Sequence, residues 1–228
     1  MEATSLIQDA RSGKALGHVA LHYKTPADGP HAARLLELMG FRRLQGIPLP
    51  DGSIFYQFLV NEDRISDGVG TLYLALRPQP LEALISAIRD ALKVGTPEEH
   101  PAAQRLRVEQ ERNPEVDFHI GIMVDALDDL ESTILRLKEA AANDPHIQGR
   151  LTFTVNRAKP GDAEIDARMD ASPVFGDATR FCYGRNGCQV FVETNLLASG
   201  PLGENMVVEF DHAFEGRPVN MFNKTELG

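Results

Sequence analysis

Two histidines open two similar runs. "GHVALHY" (17–23) carries His18 and "FHIGIMV" (118–124) carries His119, 101 positions later, each as the second residue of an apolar stretch. A lone imidazole in such a run is ordinarily a hydrogen-bonded strand residue, but two in equivalent contexts are candidate ligands of one metal ion. His22 shares His18's side of its run and is a candidate proton-handling group, with plain hydrogen bonding as the simpler alternative.

For these side chains to meet, strands must carry them. His18, Ala20 and His22 alternate with Val19, Leu21 and Tyr23, the period of a strand. "TPADGP" breaks it, Pro30 suits a first helical turn, and Ala32, Leu35, Leu36 and Met39 predict an amphipathic helix stopped at Gly40. "FRRLQGI", "SIFYQFLV" and "GTLYLALR" read as three further strands, giving β-α-β-β-β. The order recurs after 118–124. Asp128 and Glu131 predict a capping box, and Leu127, Leu130, Ile134, Leu137 and Ala141 a helical stripe. "RLTFTVNR", "TRFCYG" and "CQVFVETNLL" follow as strands, the last two joined at Asn186-Gly187. Between the copies, Leu81, Leu84, Ile85, Ile88 and Leu92 predict the buried face of a helix over 80–93. "NMVVEF", beyond Gly200, predicts a patch that pairs with a sheet edge or another subunit. The chain thus divides into a first module (15–79), a connection (80–115), a second module (116–198) and a C-terminal tail (199–228).

Composition narrows the classes. Lys and Arg number 23 against 33 Asp and Glu, a net charge of −10 with scattered bases, which disfavours a nucleic-acid partner. No apolar run reaches the roughly 18 residues of a membrane span, and the N-terminus has no basic and apolar leader pattern, so the expectation is a cytoplasmic protein. Two cysteines, Cys182 and Cys188, imply small buried thiols rather than a disulfide framework. No Gly-rich phosphate loop supports a nucleotide cofactor.

"GHVALHY", "HAARLLELMGFRRL", "FHIGIMVDALDDLESTI" and "NGCQVFVETN", in this order, resemble the vicinal oxygen chelate superfamily, the glyoxalase, bleomycin-resistance and extradiol-dioxygenase group. The resemblance covers about residues 15–78 and 116–197. It implies an α+β fold in which two βαβββ modules form a half-barrel around a cleft. It further implies a divalent metal held by a histidine from the first strand of each module and a glutamate from the last strand. On this chain those positions are His18, His119 and Glu193; the remaining position, on "GTLYLALR", offers Leu74 and Leu76 and no carboxylate. Such a trio is similar to that of Fe(II) ring-cleaving dioxygenases, which also place a tyrosine before the glutamate strand, where Tyr183 stands. Mn(II) or Zn(II) lyases, isomerases and thiol transferases are the neighbouring activities. A small vicinal-oxygen aromatic substrate and a homodimer complete what the resemblance implies.

Phe191, not Glu193, falls four residues after Gly187, where the resemblance places its glutamate. Glu193 keeps the same strand face but lies about 7 Å further along. With Phe191 in the ligand position only two histidines remain, and a metal-free binding protein of bleomycin-resistance type becomes the alternative. Phe55, Phe58, Phe181 and Phe191 would then line an apolar cavity. A two-residue turn at Asn186-Gly187 puts Arg180 and Cys182 on Glu193's face; a three-residue turn puts Phe181 and Tyr183 there. Arg180 reads either as a partner for a substrate carboxylate or as a surface ion pair.

Overall fold

The computed structural model describes residues 16–60, 70–116, 118–182 and 184–214. Alternation and helical stripes resolve into one mixed nine-stranded sheet with helices packed on it, so the α+β class is borne out. The first unit runs β1 (His18–Tyr23), α1 (Asp28–Leu38), β2 (Arg42–Pro48), β3 (Ile54–Leu59) and β4 (Thr71–Leu76). α2 (Gln79–Ala91) and α3 (Pro101–Arg112) connect it to β5 (His119–Met123), α4 (Leu127–Asn143), β6 (Leu151–Arg157), α5 (Ala163–Asp170), β7 (Arg180–Phe181), β8 (Gly187–Ser199) and β9 (Glu204–Ala213).

α1 forms where the spacing predicts it and buries Ala32, Ala33, Leu35, Leu36 and Leu38. Its first turn lies against the Tyr23 ring: a Cβ at Gly29 would sit 3.0 Å from Tyr23 Cζ, so glycine permits the approach. The Tyr23 hydroxyl donates to the Ile54 carbonyl and accepts from the Ile54 amide, both at 2.9 Å, tying β1 to β3 beneath the helix. α4 buries Leu130, Ile134 and Leu137 completely.

Each unit sets its first strand parallel to its last. β1 pairs with β4, His18 opposite Thr71, and β5 pairs with β9, His119 opposite Val207. The strand order is β2-β3-β4-β1 in one unit and β6-β8-β9-β5 in the other. They join where the far end of β8 pairs with β1, Ala198 opposite His22 and Leu197 opposite Tyr23. A shift in register between Thr194 and Ala198 lets one 13-residue strand serve both units.

Four expectations are corrected. "NMVVEF" does pair with the sheet, but not at an edge: it belongs to β9, an interior strand between β8 and β5. Gly200 and Gly203, both at φ +67°, turn the chain back so that β9 completes the second unit. β7 and β8 make no hairpin at Asn186-Gly187, because β7 pairs parallel with β6 on the far side from β8. Glu131 does not cap α4; it is buried and turned toward Arg168 and Ser172. Of the predicted apolar face of α2 only Ile85 is buried, and Leu84 is 57% exposed. No described helix is long and apolar enough to cross a membrane.

Cys182 and Cys188 are both free and buried. Burial pushes the Cys182 thiol up to about 11 and the Cys188 thiol well above its ordinary value. At pH 8 the Cys182 thiolate is then about one part in a thousand. Iodoacetamide at that pH should leave both thiols unmodified in the native protein and label both in urea, as read by intact mass.

Candidate functional site

The second unit's sheet has a core face and a face turned away from α4. Val190, Val192, Met206, Val208 and Phe210 belong to the core cluster. Side chains paired across strands share a face, so the alternate positions form three rows on the other side. His119, Val207, Glu193 and Thr152 make the first. Gly121, Glu209, Phe191 and Thr154 make the second, and Met123, Asp211, Gln189 and Asn156 the third.

Polar groups in these rows are tightly linked. His119 Nε2 lies 3.0 Å from Glu209 Oε2. Gln189 Nε2 donates to Glu209 Oε1 at 2.7 Å. Asp211 is hydrogen-bonded to Glu209, and burial first, then the charge of Glu209, pushes its carboxyl up to about 8. Two adjacent carboxylates out of water cannot readily both ionise, so this pair holds a proton at neutral pH. Glu209 and Asp211 are each only 4% exposed, and acidic residues are rarely buried so deeply without a task. Asp211 Oδ1 and Gln189 Oε1 are buried with no hydrogen-bond partner among the described residues. Gly121 leaves the space beside them open: a Cβ there would meet Asp211 Oδ2 at 3.5 Å and Glu209 Oε2 at 3.6 Å. Phe191, buried, stands edge-on to the His119 ring at 6.3 Å between centroids.

Of the residues singled out from sequence, His119 is in this cluster. Glu193 shares its row, but β9 runs between them at Val207, and the Glu193 carboxylate accepts from Asn205 Nδ2 at 2.8 Å. Glu193 therefore does not meet His119, because β8 is not the unit's last strand. His18 is exposed and stacks on Tyr73 at 4.7 Å. His22 lines a separate groove of about 190 Å³ with Arg77 and Phe118, and burial first, then Arg77, lowers its pKa. Tyr183 lies outside the described residues. Arg180 does reach Glu193's face, through β6 rather than a hairpin, and donates to Asn156 Oδ1 at 3.2 Å. The four phenylalanines do not gather: Phe58 is in the core, Phe55 is on the opposite face of β3 against Tyr73, and Phe181 is exposed.

Glu209, Asp211 and Gln189 were not singled out from sequence. A signal was present: in "MVVEFDHA" Val207, Glu209 and Asp211 alternate with Met206, Val208 and Phe210, a half-buried strand with two acids on one side.

Among the described residues no three His, Cys, Asp or Glu side chains converge to enclose an ion. The donor chemistry nevertheless suits one. The His119 imidazole, the Glu209 and Asp211 carboxylates and the Gln189 amide oxygen are ligand types that Mn(II), Fe(II) and Zn(II) accept, and two of those oxygens are orphaned, but they are not gathered around one point. A cation there would neutralise the pair that otherwise keeps a proton.

A cavity of about 540 Å³ adjoins the first row, with Glu193 and Val207 in its wall and α2 and α3 on its other side. No family model matches the chain, and no curated protein matches it. A solved structure from Ralstonia eutropha JMP134, named as of the glyoxalase superfamily, is similar over 94% of this chain and 78% of its own, at 14% identity and a TM-score of 0.23. An overlay that loose carries no argument about the site, which rests on the strand order and contacts above.

Proposed function

We propose that the chain is a metal-dependent enzyme acting on a small molecule through vicinal oxygens, of the ring-cleaving dioxygenase type with Fe(II). The observation that supports this is the meeting of His119 and Glu209, from the first and last strands of the second unit, at 3.0 Å. Those are the strands from which the resemblance draws ligands, with Glu209 in the role expected of Glu193. His119 and Glu209 would hold the ion, with Asp211 and, from the first unit, His18 as the further donors. Bound Fe(II) supplies Lewis-acid activation of chelated oxygens and a position for dioxygen.

The remaining roles fall to the protein's own groups. Gln189 fixes the Glu209 carboxylate through its amide, as groups behind a metal ligand do. Phe191, itself buried, packs edge-on against the His119 ring and restricts how the imidazole can turn. His22, whose pKa burial and then Arg77 lower, sits apart from the cluster in its own groove. The two units, with β9 included in the second, would close as the half-barrel the resemblance implies, and two copies as a homodimer.

A metal-free binding protein is the second reading. It is favoured by the way His119 and Gln189 already satisfy both oxygens of Glu209. Oxygen uptake separates the two. Iron-loaded protein prepared anaerobically should consume dioxygen with catechol, and His119→Ala should lower that rate at least about a hundredfold. Saturable catechol binding without uptake, in iron-, manganese- and zinc-loaded protein alike, would put the binding protein in front. Turnover without oxygen on Mn(II) or Zn(II) would indicate isomerase or lyase chemistry instead.

A further inference from the structure

The cavity of about 540 Å³ beside the first row has an electrostatic character that the His119 cluster does not explain. β1 and β4 run parallel and end together, Tyr23 opposite Leu76, so the next residues, Lys24 and Arg77, emerge side by side. The Arg77 amide donates to the Tyr23 carbonyl at 3.1 Å and fixes that placement. α2 then brings Arg89 to the β8–β9 turn, where its guanidinium donates to the Leu202 carbonyl at 3.1 Å. All three line the cavity.

Arg77 is the unusual member. Its side chain is 7% exposed, and Nε and Nη1 are buried with no hydrogen-bond partner among the described residues, while Nη2 pairs with Glu82. Leaving two guanidinium donors unmet in a buried place is costly unless an acceptor arrives. The site is also shaped for the guanidinium: a Cβ at Gly203, φ +67°, would come within 2.7 Å of Nη1. Carboxylates line the cavity too: Glu82 pairs with Arg77 and Glu111 with Arg107, Glu193 accepts from the Asn205 side-chain amide, and Glu204 accepts from the Leu202 amide through one oxygen while its other is buried with no hydrogen-bond partner among the described residues. Lys24, by contrast, meets the neutral Asn205 Oδ1 at 3.0 Å, and Arg89 a backbone carbonyl. Burial first, then Arg77, lowers the Lys24 pKa, with Arg89 and Arg150 adding to the repulsion against Asp28 alone. Four basic side chains, Lys24, Arg77, Arg89 and Arg107, are matched in the wall by four acidic ones, Glu82, Glu111, Glu193 and Glu204, so what marks the site is the pair of unmet Arg77 donors rather than net charge.

We propose that this cavity binds a small carboxylate, with Arg77 as its fork-shaped partner and Lys24 and Arg89 supplying further positive charge. A guanidinium matches a carboxylate in a planar, two-point contact. A singly charged group suits the site better than a phosphate dianion, because the wall's glutamates lie close by. Ile85, Leu202 and Val207 offer apolar wall for the rest of the molecule. Val207 is also the strand neighbour of His119. Insofar as the ligand is the substrate of the site above, the assignment rests on that reading; as a binding site it needs no ion.

Calorimetric titration of the full chain, stripped of metal, with benzoate, benzamide, butyrate and inorganic phosphate tests this separately from any catalysis. Benzoate should bind at least about tenfold tighter than its neutral isostere benzamide, and Arg77→Gln and Lys24→Met should each remove about that factor. Glu82→Gln should tighten benzoate binding severalfold, since it frees Arg77 from its internal competitor, a gain that misfolding cannot produce. Equal binding of benzoate and benzamide, no saturable binding of benzoate or butyrate, or indifference to all three variants would overturn the proposal. Phosphate binding tighter than benzoate would overturn the carboxylate assignment. Catechol turnover that fails while these results hold would leave the cavity assigned and the enzyme reading rejected.

Discussion

Phe210→Ala should destabilise the protein by about 3–5 kcal/mol, as large-to-small changes at filled aromatic sites do. Phe210 is 1% exposed and belongs to the same buried cluster as Leu130, Ile134 and Leu137 of α4. Its neighbours Glu209 and Asp211 face the other way. Packing of Phe210 under α4 thus holds β9 in the register that puts both acids on the open side. A slip of one residue would drive them into the core. Urea denaturation followed by circular dichroism measures the loss. A cost under about 1 kcal/mol, as expected of an appended tail, would contradict an interior β9.

A second large effect is expected at the link between α4 and α5. Arg168 donates to both oxygens of Glu131, at 3.0 and 2.7 Å, and to Asp128 at 2.7 Å. Glu131 also accepts from Ser172, whose hydroxyl in turn accepts from the amides of Val174 and Phe175. This network seats Phe175, which is fully buried. Arg168→Met would leave the Glu131 carboxylate buried and unpaired. Because the guanidinium is one-third exposed, the expected cost is discounted to about 2–4 kcal/mol. The double change Arg168→Met with Glu131→Leu should recover most of it, since a well-packed apolar pair replaces a broken ionic one. Equal losses in the single and double variants would show that the helices are held by other contacts.

Elements with a clear period were legible in the sequence. β1, β3 and β4 alternate, and the stripes of α1 and α4 bury Leu35, Leu36, Leu130, Ile134 and Leu137 completely. Pairing was not legible, because it depends on which strand returns to which. β8 reads as a closing strand, yet its length and its irregularity at 194–198 let it pair with β6, β9 and β1 in turn. Taking it as last made Glu193 the expected carboxylate and left Glu209 in a supposed tail. The Asp128–Glu131 spacing fits a capping box, but nothing local reveals that Arg168, 37 residues on, claims the glutamate. His119 stands out in the sequence because its context is written twice. Asp211 and Gln189 join it only once β9 and β8 lie side by side.

The proposed function requires Glu209 and His119 to hold an ion together. Elemental analysis of protein purified anaerobically without an affinity tag tests it, on the unaltered chain and on His119→Ala, Glu209→Gln and Glu193→Gln. About one ion per chain is expected in the unaltered protein and in Glu193→Gln, and loss in both other variants. An ion retained in Glu209→Gln, an ion lost in Glu193→Gln, or none bound even after reconstitution with Fe(II), Mn(II) and Zn(II) would contradict the proposed function.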